Sequence, residues 1–333
     1  MIIQPSAVYE GHYSFCHNPQ QSARMYVLNE NNHIFEIMPD YSLREAGALH
    51  LLTKKKQISY MAFHPSQEHT VFLTEEGMAA ADFAENILWK HAGDIVALLY
   101  APNGNSVWLC ERADKTHLKI TLHDANNGTL LSECLFEDTL YESSVSFQNL
   151  PQGEGVLMQL AAGQDGVSVF LLTFEEGIQT RELFPKCCNI MPTFSPDMTR
   201  LLTLENDEML YYTYTWQELE PLAQQRDFTE EEWEDEEVSP GYEMLCLSND
   251  LAITQSANYR YYLFDLVKMK RLEEVIIEGF EPLPTREVFP RLDDDTLYST
   301  VVLFCRQGQF LVAKTDTRAK TQALMIFDET GLF

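Results

Sequence analysis

Two stretches of this 333-residue chain combine charge with aromatic side chains in a way that suits recognition of another protein. The first, residues 227–242, reads DFTEEEWEDEEVSPGY. It gathers Asp227, Glu230, Glu231, Glu232, Glu234, Asp235, Glu236 and Glu237 around Trp233. The second, residues 278–298, sets Phe280 and Phe289 near Asp293, Asp294 and Asp295. Blocks of like charge ordinarily stay solvated and self-repelling. A tryptophan among eight acids has no core to serve if the segment is exposed, and such aromatics often anchor interfaces. Carboxylates at this density would hasten encounter with a basic protein and exclude anionic rivals, while the aromatics would slow dissociation. These fourteen residues are the expected partner-binding set.

Other chemistry is sparse. The nine histidines form no His-Glu-x-x-His. His64 and His69 flank a turn, while His117 and His123 share one face of a strand, as surface or core positions do. No nucleophile elbow, phosphate-binding loop or dinucleotide fingerprint occurs, so no catalytic residue, metal ligand or cofactor is assigned. The seven cysteines include the vicinal pair Cys187-Cys188 but no Cys-x-x-Cys. Buried free thiols in a reducing cytosol are the expectation. With 51 Asp+Glu against 23 Lys+Arg, the net charge is −28, which argues against nucleic-acid backbones and anionic lipid. The opening Met1-Ile-Ile-Gln-Pro5 has no charged start followed by an apolar stretch, so no secretory leader is expected, and no apolar run reaches the roughly 20 residues that span a bilayer. A cytoplasmic, non-membrane monomer is expected.

The elements that must carry the acidic segments follow from a repeat. An aromatic or apolar residue closes a strand before a turn at Phe15, Phe63, Tyr100, Phe147, Phe194, Leu247 and Phe304. A short apolar strand follows each turn: MYVLN, VFLTE, VWLCE, VLMQL, LLTLE, LAITQ and FLVAK. A third strand then comes, such as HLKITLHD (117–124) or VSVFLLTF (167–174). A period of roughly 40–50 residues built of strands and turns specifies propeller blades. The expected fold is therefore all-β, a seven-bladed β-propeller of four-stranded blades. The seventh copy lacks a fourth strand, and residues 2–9 belong to no copy. The N-terminal strand is expected to complete the last blade and close the ring. Within the second blade, Gly77-Met-Ala-Ala-Ala-Asp82 makes a poor strand sequence, and 83–92 reads as partly helical.

Turns after the third strand read Leu122-His-Asp124-Ala-Asn-Asn-Gly128, Phe264-Asp265 and Ile326-Phe-Asp328-Glu-Thr-Gly331. These resemble degenerate endings of WD repeats, and Phe194-Ser-Pro-Asp197 is similar to a WD-repeat turn. The resemblance spans nearly the whole chain, without any Trp-Asp dipeptide. It implies a propeller and leaves the ligand open. The leading functional expectation is a non-catalytic propeller that binds a basic protein. A sharper form is an immunity protein, or antitoxin, neutralising a cationic toxin such as a nuclease. A general WD-like scaffold for multiprotein assembly stands second. A hydrolase- or lactonase-like propeller enzyme with a site at the channel mouth stands third.

Overall fold

A computed structural model describes residues 1–15, 24–49, 60–138, 140, 142–150, 153–162, 166–184, 191–205, 210–216, 218–224, 240–256, 260–278, 303–306, 309–316 and 321–328. The described residues form strands and turns without a helix, organised as small sheets in a β-propeller-like manner. They divide into two compact units, Ser14–Met191 and Met1–Tyr13 with Pro192–Phe333.

The chain opens with β1 (Ile2–Ile3) and β2 (Ala7–Glu10), which serve sheets built much later in sequence. The Ser14–Met191 unit then folds as four consecutive meanders. These are β3 (Tyr13–Phe15), β4 (Met25–Asn29), β5 (His33–Ile37) and β6 (Leu43–Ala48); and β7 (Met61–Phe63), β8 (His69–Thr74), β9 (Gly77–Asp82) and β10 (Ile87–Ala92). Next come β11 (Ile95–Tyr100), β12 (Ser106–Arg112), β13 (His117–Asp124) and β14 (Leu130–Glu137). The fourth contains β15 (Ser144–Asn149), β16 (Val156–Ala161), β17 (Val167–Phe174) and β18 (Ile178–Glu182).

The other unit holds three sheets. The first has β19 (Thr193–Phe194), β20 (Arg200–Glu205), β21 (Leu210–Thr215) and β22 (Pro221–Gln224). The second has β23 (Pro240–Cys246), β24 (Leu251–Ser256), β25 (Tyr261–Asp265) and β26 (Lys270–Ile277). The third has β27 (Leu303–Arg306), β28 (Gln309–Asp316) and β29 (Thr321–Asp328). Within each unit the first strands of successive sheets pack side by side: β7 with β11, β11 with β15, β19 with β23, and β23 with β27.

Burial explains the sequence pattern. Second strands such as β12 lie between sheet neighbours and are covered on both faces, so they read as continuous apolar runs. Val107, Trp108, Leu109 and Cys110 of β12 are all fully buried. A fourth strand such as β14 ends the strand order of its sheet, and β14 alternates exposed with half-buried residues. The aromatic anchors Phe63, Tyr100, Phe147 and Phe194 end up in the core where the first strand meets its turn.

Several expectations need correction. Among the described residues six sheets, not seven, have the four-stranded form; the sheet of β23–β26 carries five strands because β1 joins β26 in parallel. The Ile276 N–H donates to the Met1 carbonyl at 2.7 Å, and the Glu278 N–H to the Ile3 carbonyl at 2.9 Å. Ile3 enters the core beside Ile277 and Val275. The expected outer strand of the last sheet is present, but only Ala7–Glu10 supplies it, antiparallel to β29.

The second sheet is also more regular than its sequence suggests. Residues 77–82 form β9, and 87–92 form β10 rather than a helical turn. Met78, Ala79, Ala80 and Ala81 are buried, because small side chains suit a strand sandwiched closely between neighbours. Trp89 turns inward on β10, and pairing to β9 outweighs the local helix preference. Finally, residues 240–242 belong to β23 rather than to the acidic insertion; Pro240 occupies the first strand position, where a missing N–H is tolerated.

Candidate functional site

All fourteen residues of the expected partner-binding set lie outside the described residues: Asp227, Glu230, Glu231, Glu232, Trp233, Glu234, Asp235, Glu236, Glu237, Phe280, Phe289, Asp293, Asp294 and Asp295. The described strands fix where the two segments attach. In the antiparallel meander β23–β26, Pro240 pairs with Ser256 and Tyr261 with Val275. The start of β23 and the end of β26 therefore share one end of this sheet. One insertion leads into that end and the other leaves from it.

Charged side chains of the described surface are in part paired. Many basic side chains are engaged within the fold. The Arg24 Nε donates to Glu36 at 2.9 Å, and its Nη2 reaches Glu68 at 3.0 Å; Arg44 also pairs with Glu36. Burial works against the charged Glu36, but the two guanidiniums outweigh it and hold its carboxyl below the usual value. Arg112 pairs with the fully buried Asp138 at 3.4 Å. Lys115, Lys119, Arg260 and Lys268 face Glu142, Glu133, Glu274 and Asp265. The Arg271 guanidinium lies 4.5 Å from the centre of the Tyr262 ring. Carboxylates such as Glu75, Glu76, Asp94, Glu137, Glu175, Glu176, Glu218 and Glu220 stand exposed. Several positive charges are held in contacts, Lys90 and Lys270 stand exposed, and many carboxylates face water.

The histidines that sequence reading set aside serve the scaffold. The His64 Nδ1 accepts the N–H groups of Ser66 and Gln67, so Nε2 carries the proton and donates to the Gly104 carbonyl at 3.0 Å. This neutral ring ties the second sheet to the third, and burial pushes its pKa down to about 4. Gly104 has φ +75°, and a Cβ there would stand 2.6 Å from the His64 ring.

A second cluster joins the same two sheets. The Trp89 Nε1 donates to the Ala125 carbonyl at 2.9 Å, and its ring stacks on His123 at 5.8 Å. The His123 Nδ1 lies 3.0 Å from the Gly128 carbonyl and its Nε2 lies 3.1 Å from the Thr121 hydroxyl. Burial lowers the pKa of His123. His91 packs against His123 and lies 2.8 Å from the Glu111 carboxylate. An imidazole beside a carboxylate could relay a proton. His91 on β10 and Glu111 on β12 join the second sheet to the third, as Trp89 and Ala125 do, so the cluster can latch the two sheets. Among the described residues no group of three His, Cys, Asp or Glu could hold a metal ion.

Cys110 and Cys246 are buried free thiols, each pushed up to about 12 by burial, and Cys134 is half-buried. Such thiols are poor nucleophiles at neutral pH. The side chains of Cys16, Cys187, Cys188 and Cys305 lie outside the described residues.

Sequence reasoning missed two features of the described surface. One is the addition of β1 to β26. The other is β14, an eight-residue outer strand bearing the exposed Leu130, Leu131 and Leu135. Its alternation was legible in LLSECLFE, but its position at a sheet edge was not. In comparisons with known proteins, no family model and no curated sequence matches this chain.

Proposed function

We propose that this chain is a non-catalytic protein-binding module, a WD-repeat-like seven-bladed propeller closed by its N-terminal strand. Its partner is a basic protein, docked on the acidic insertions at 227–239 and 278–298. The observation that carries this reading is the charge imbalance, 51 acids against 23 basic residues. It gains weight because described basic groups such as Arg24, Arg112 and Lys119 are engaged within the fold. A surface of this sign steers cationic proteins toward it and repels nucleic acid and anionic membranes. In its sharper form the partner is a cationic toxin, covered and neutralised in the cytoplasm. Charge steering combined with buried aromatic anchors accounts for tight binding in such pairs.

The test is affinity capture from native lysate at low and at moderate salt, with bound proteins identified by mass. A parallel bait carries Gln at Glu230–Glu232, Glu234, Glu236 and Glu237, Asn at Asp235, and Trp233→Ala. One basic protein held by the native bait and lost by the altered one is the expected result. Several partners indifferent to the changes would replace this reading with a scaffold that uses other surfaces.

A further inference from the structure

The outer strands of the sheets solve the problem of exposed edges in different ways. An outer strand offers unpaired N–H and C=O groups to any extended chain, and proteins blunt such edges by shortness, proline, charge or a cover. Strand β22 has four residues and opens with Pro221, and β18 has five and carries no exposed large apolar residue. Only two of these fourth strands, β14 and β26, reach eight residues. At β26 the chain itself covers the C-terminal part of the edge. Strand β1 pairs with it in parallel, bringing Ile2 beside Ile276 and Ile3 beside Ile277. At β14 no described strand pairs with the outer edge, although Leu130, Leu131 and Leu135 are 47%, 45% and 66% exposed.

We propose that the outer edge of β14 receives an extended segment of a partner protein as a fifth strand, as β26 receives β1. The register defines the guest. A bulge at Leu131 interrupts the start of β14, after which Ser132–Glu137 pairs regularly with 117–122 of β13. Along this regular run, Glu133, Leu135 and Glu137 share one face and are all exposed. A complementary guest row therefore places a basic, an apolar and a basic residue at every second position. Glu133 sits 3.1 Å from Lys119, so a guest cation would share this carboxylate. A second copy of the chain fits poorly. Two β14 strands in antiparallel register would bring glutamates together on bodies that each carry a net charge of −28. The basic character of the guest agrees with the function proposed above and rests on that reading, while the strand pairing rests on the edge itself.

The probe is a seven-residue peptide, acetyl-Thr-Arg-Thr-Val-Thr-Arg-Thr-amide, titrated into the full-length protein and followed by amide hydrogen exchange. Saturable binding with slowed exchange confined to residues 130–137 is expected. Leu135→Ser combined with Glu133→Gln and Glu137→Gln should weaken it by about fivefold or more. These side chains are exposed, so the variant should unfold at the same denaturant concentration as the parent. A peptide N-methylated at alternate residues keeps its charge and should not bind. Binding without protection at 130–137, or equal binding of the methylated peptide, would overturn strand addition and leave the acidic-insertion reading standing. Sedimentation that showed a dimer abolished by the triple variant would also overturn it, with a second copy as the occupant. Loss of the native partner from the altered insertion bait, with the peptide still bound at β14, would separate the two surfaces.

Discussion

The two units fasten their sheets by different chemistry. In Ser14–Met191, large buried side chains reach from one sheet into the backbone of the next. His64 donates to the Gly104 carbonyl, Trp89 to that of Ala125, and Trp108 to that of Glu154 at 3.0 Å. In the unit containing Pro192–Phe333, small polar side chains serve more often. The Cys246 N–H donates to the Thr193 hydroxyl at 3.1 Å, and the Asp197 N–H to the Asn249 side-chain Oδ1 at 3.0 Å. Among the described residues a large side chain serves here too: the Tyr211 hydroxyl donates to the Gln255 carbonyl at 3.2 Å. A latch built from a buried ring combines packing with a hydrogen bond, whereas a short polar latch contributes mainly the bond. The same sheet architecture can thus be held firmly in one region and lightly in another.

The largest effect should come from Trp108, which is fully buried and also donates a hydrogen bond. Trp108→Ala should cost about 3–5 kcal/mol of unfolding free energy, measured by chemical denaturation. A loss below about 1 kcal/mol would erase the distinction between firm and light latches.

Acid should separate the units next. The ordinary histidine value is near 6.5, while folded His64 sits at about 4 and His123 is also lowered. As pH falls through this window, the unfolded chain takes up protons that the folded chain refuses. Stability is therefore full above about 6.5 and declines toward about 4. Residues 192–333 contain no histidine. Amide exchange, corrected for intrinsic rate, should accelerate between pH 7 and 5 in Ser14–Met191 more than in Pro192–Phe333. Equal acceleration in both would contradict the comparison.

The smallest effect belongs to the light latches. Asn249→Ala should cost about 1 kcal/mol, as should Tyr211→Phe, by leaving a backbone partner without its bond. Thermal unfolding of both variants checks this, and losses like that of Trp108→Ala would show that the two units are equally dependent on their latches.

Much of this fold was legible in the sequence because blade chemistry repeats locally. The turn Asp124–Gly128 forms as its residues imply: the Asp124 carboxylate accepts the N–H groups of Asn126 and Asn127, and Gly128 takes φ +72°. Strands 117–124 and 167–174 coincide with the apolar patterns that mark them. What escaped was non-local. Nothing in Met1-Ile2-Ile3 says that it will pair with Ile276, hundreds of positions away. The alanines of β9 defeat propensity because their environment, two closely packed neighbouring strands, is set by the rest of the sheet. The acidic insertions are conspicuous by composition, which marks their charge without specifying a geometry.

The central claim is that surplus carboxylates bring a basic partner to this protein. Its most direct test is the association rate constant of the captured partner, by stopped flow, at low and moderate salt. With the native chain the rate should fall about tenfold or more as salt rises. The chain altered at residues 230–237 should start slower and respond weakly to salt. Association rates that were equal for both chains and flat with salt would contradict the account.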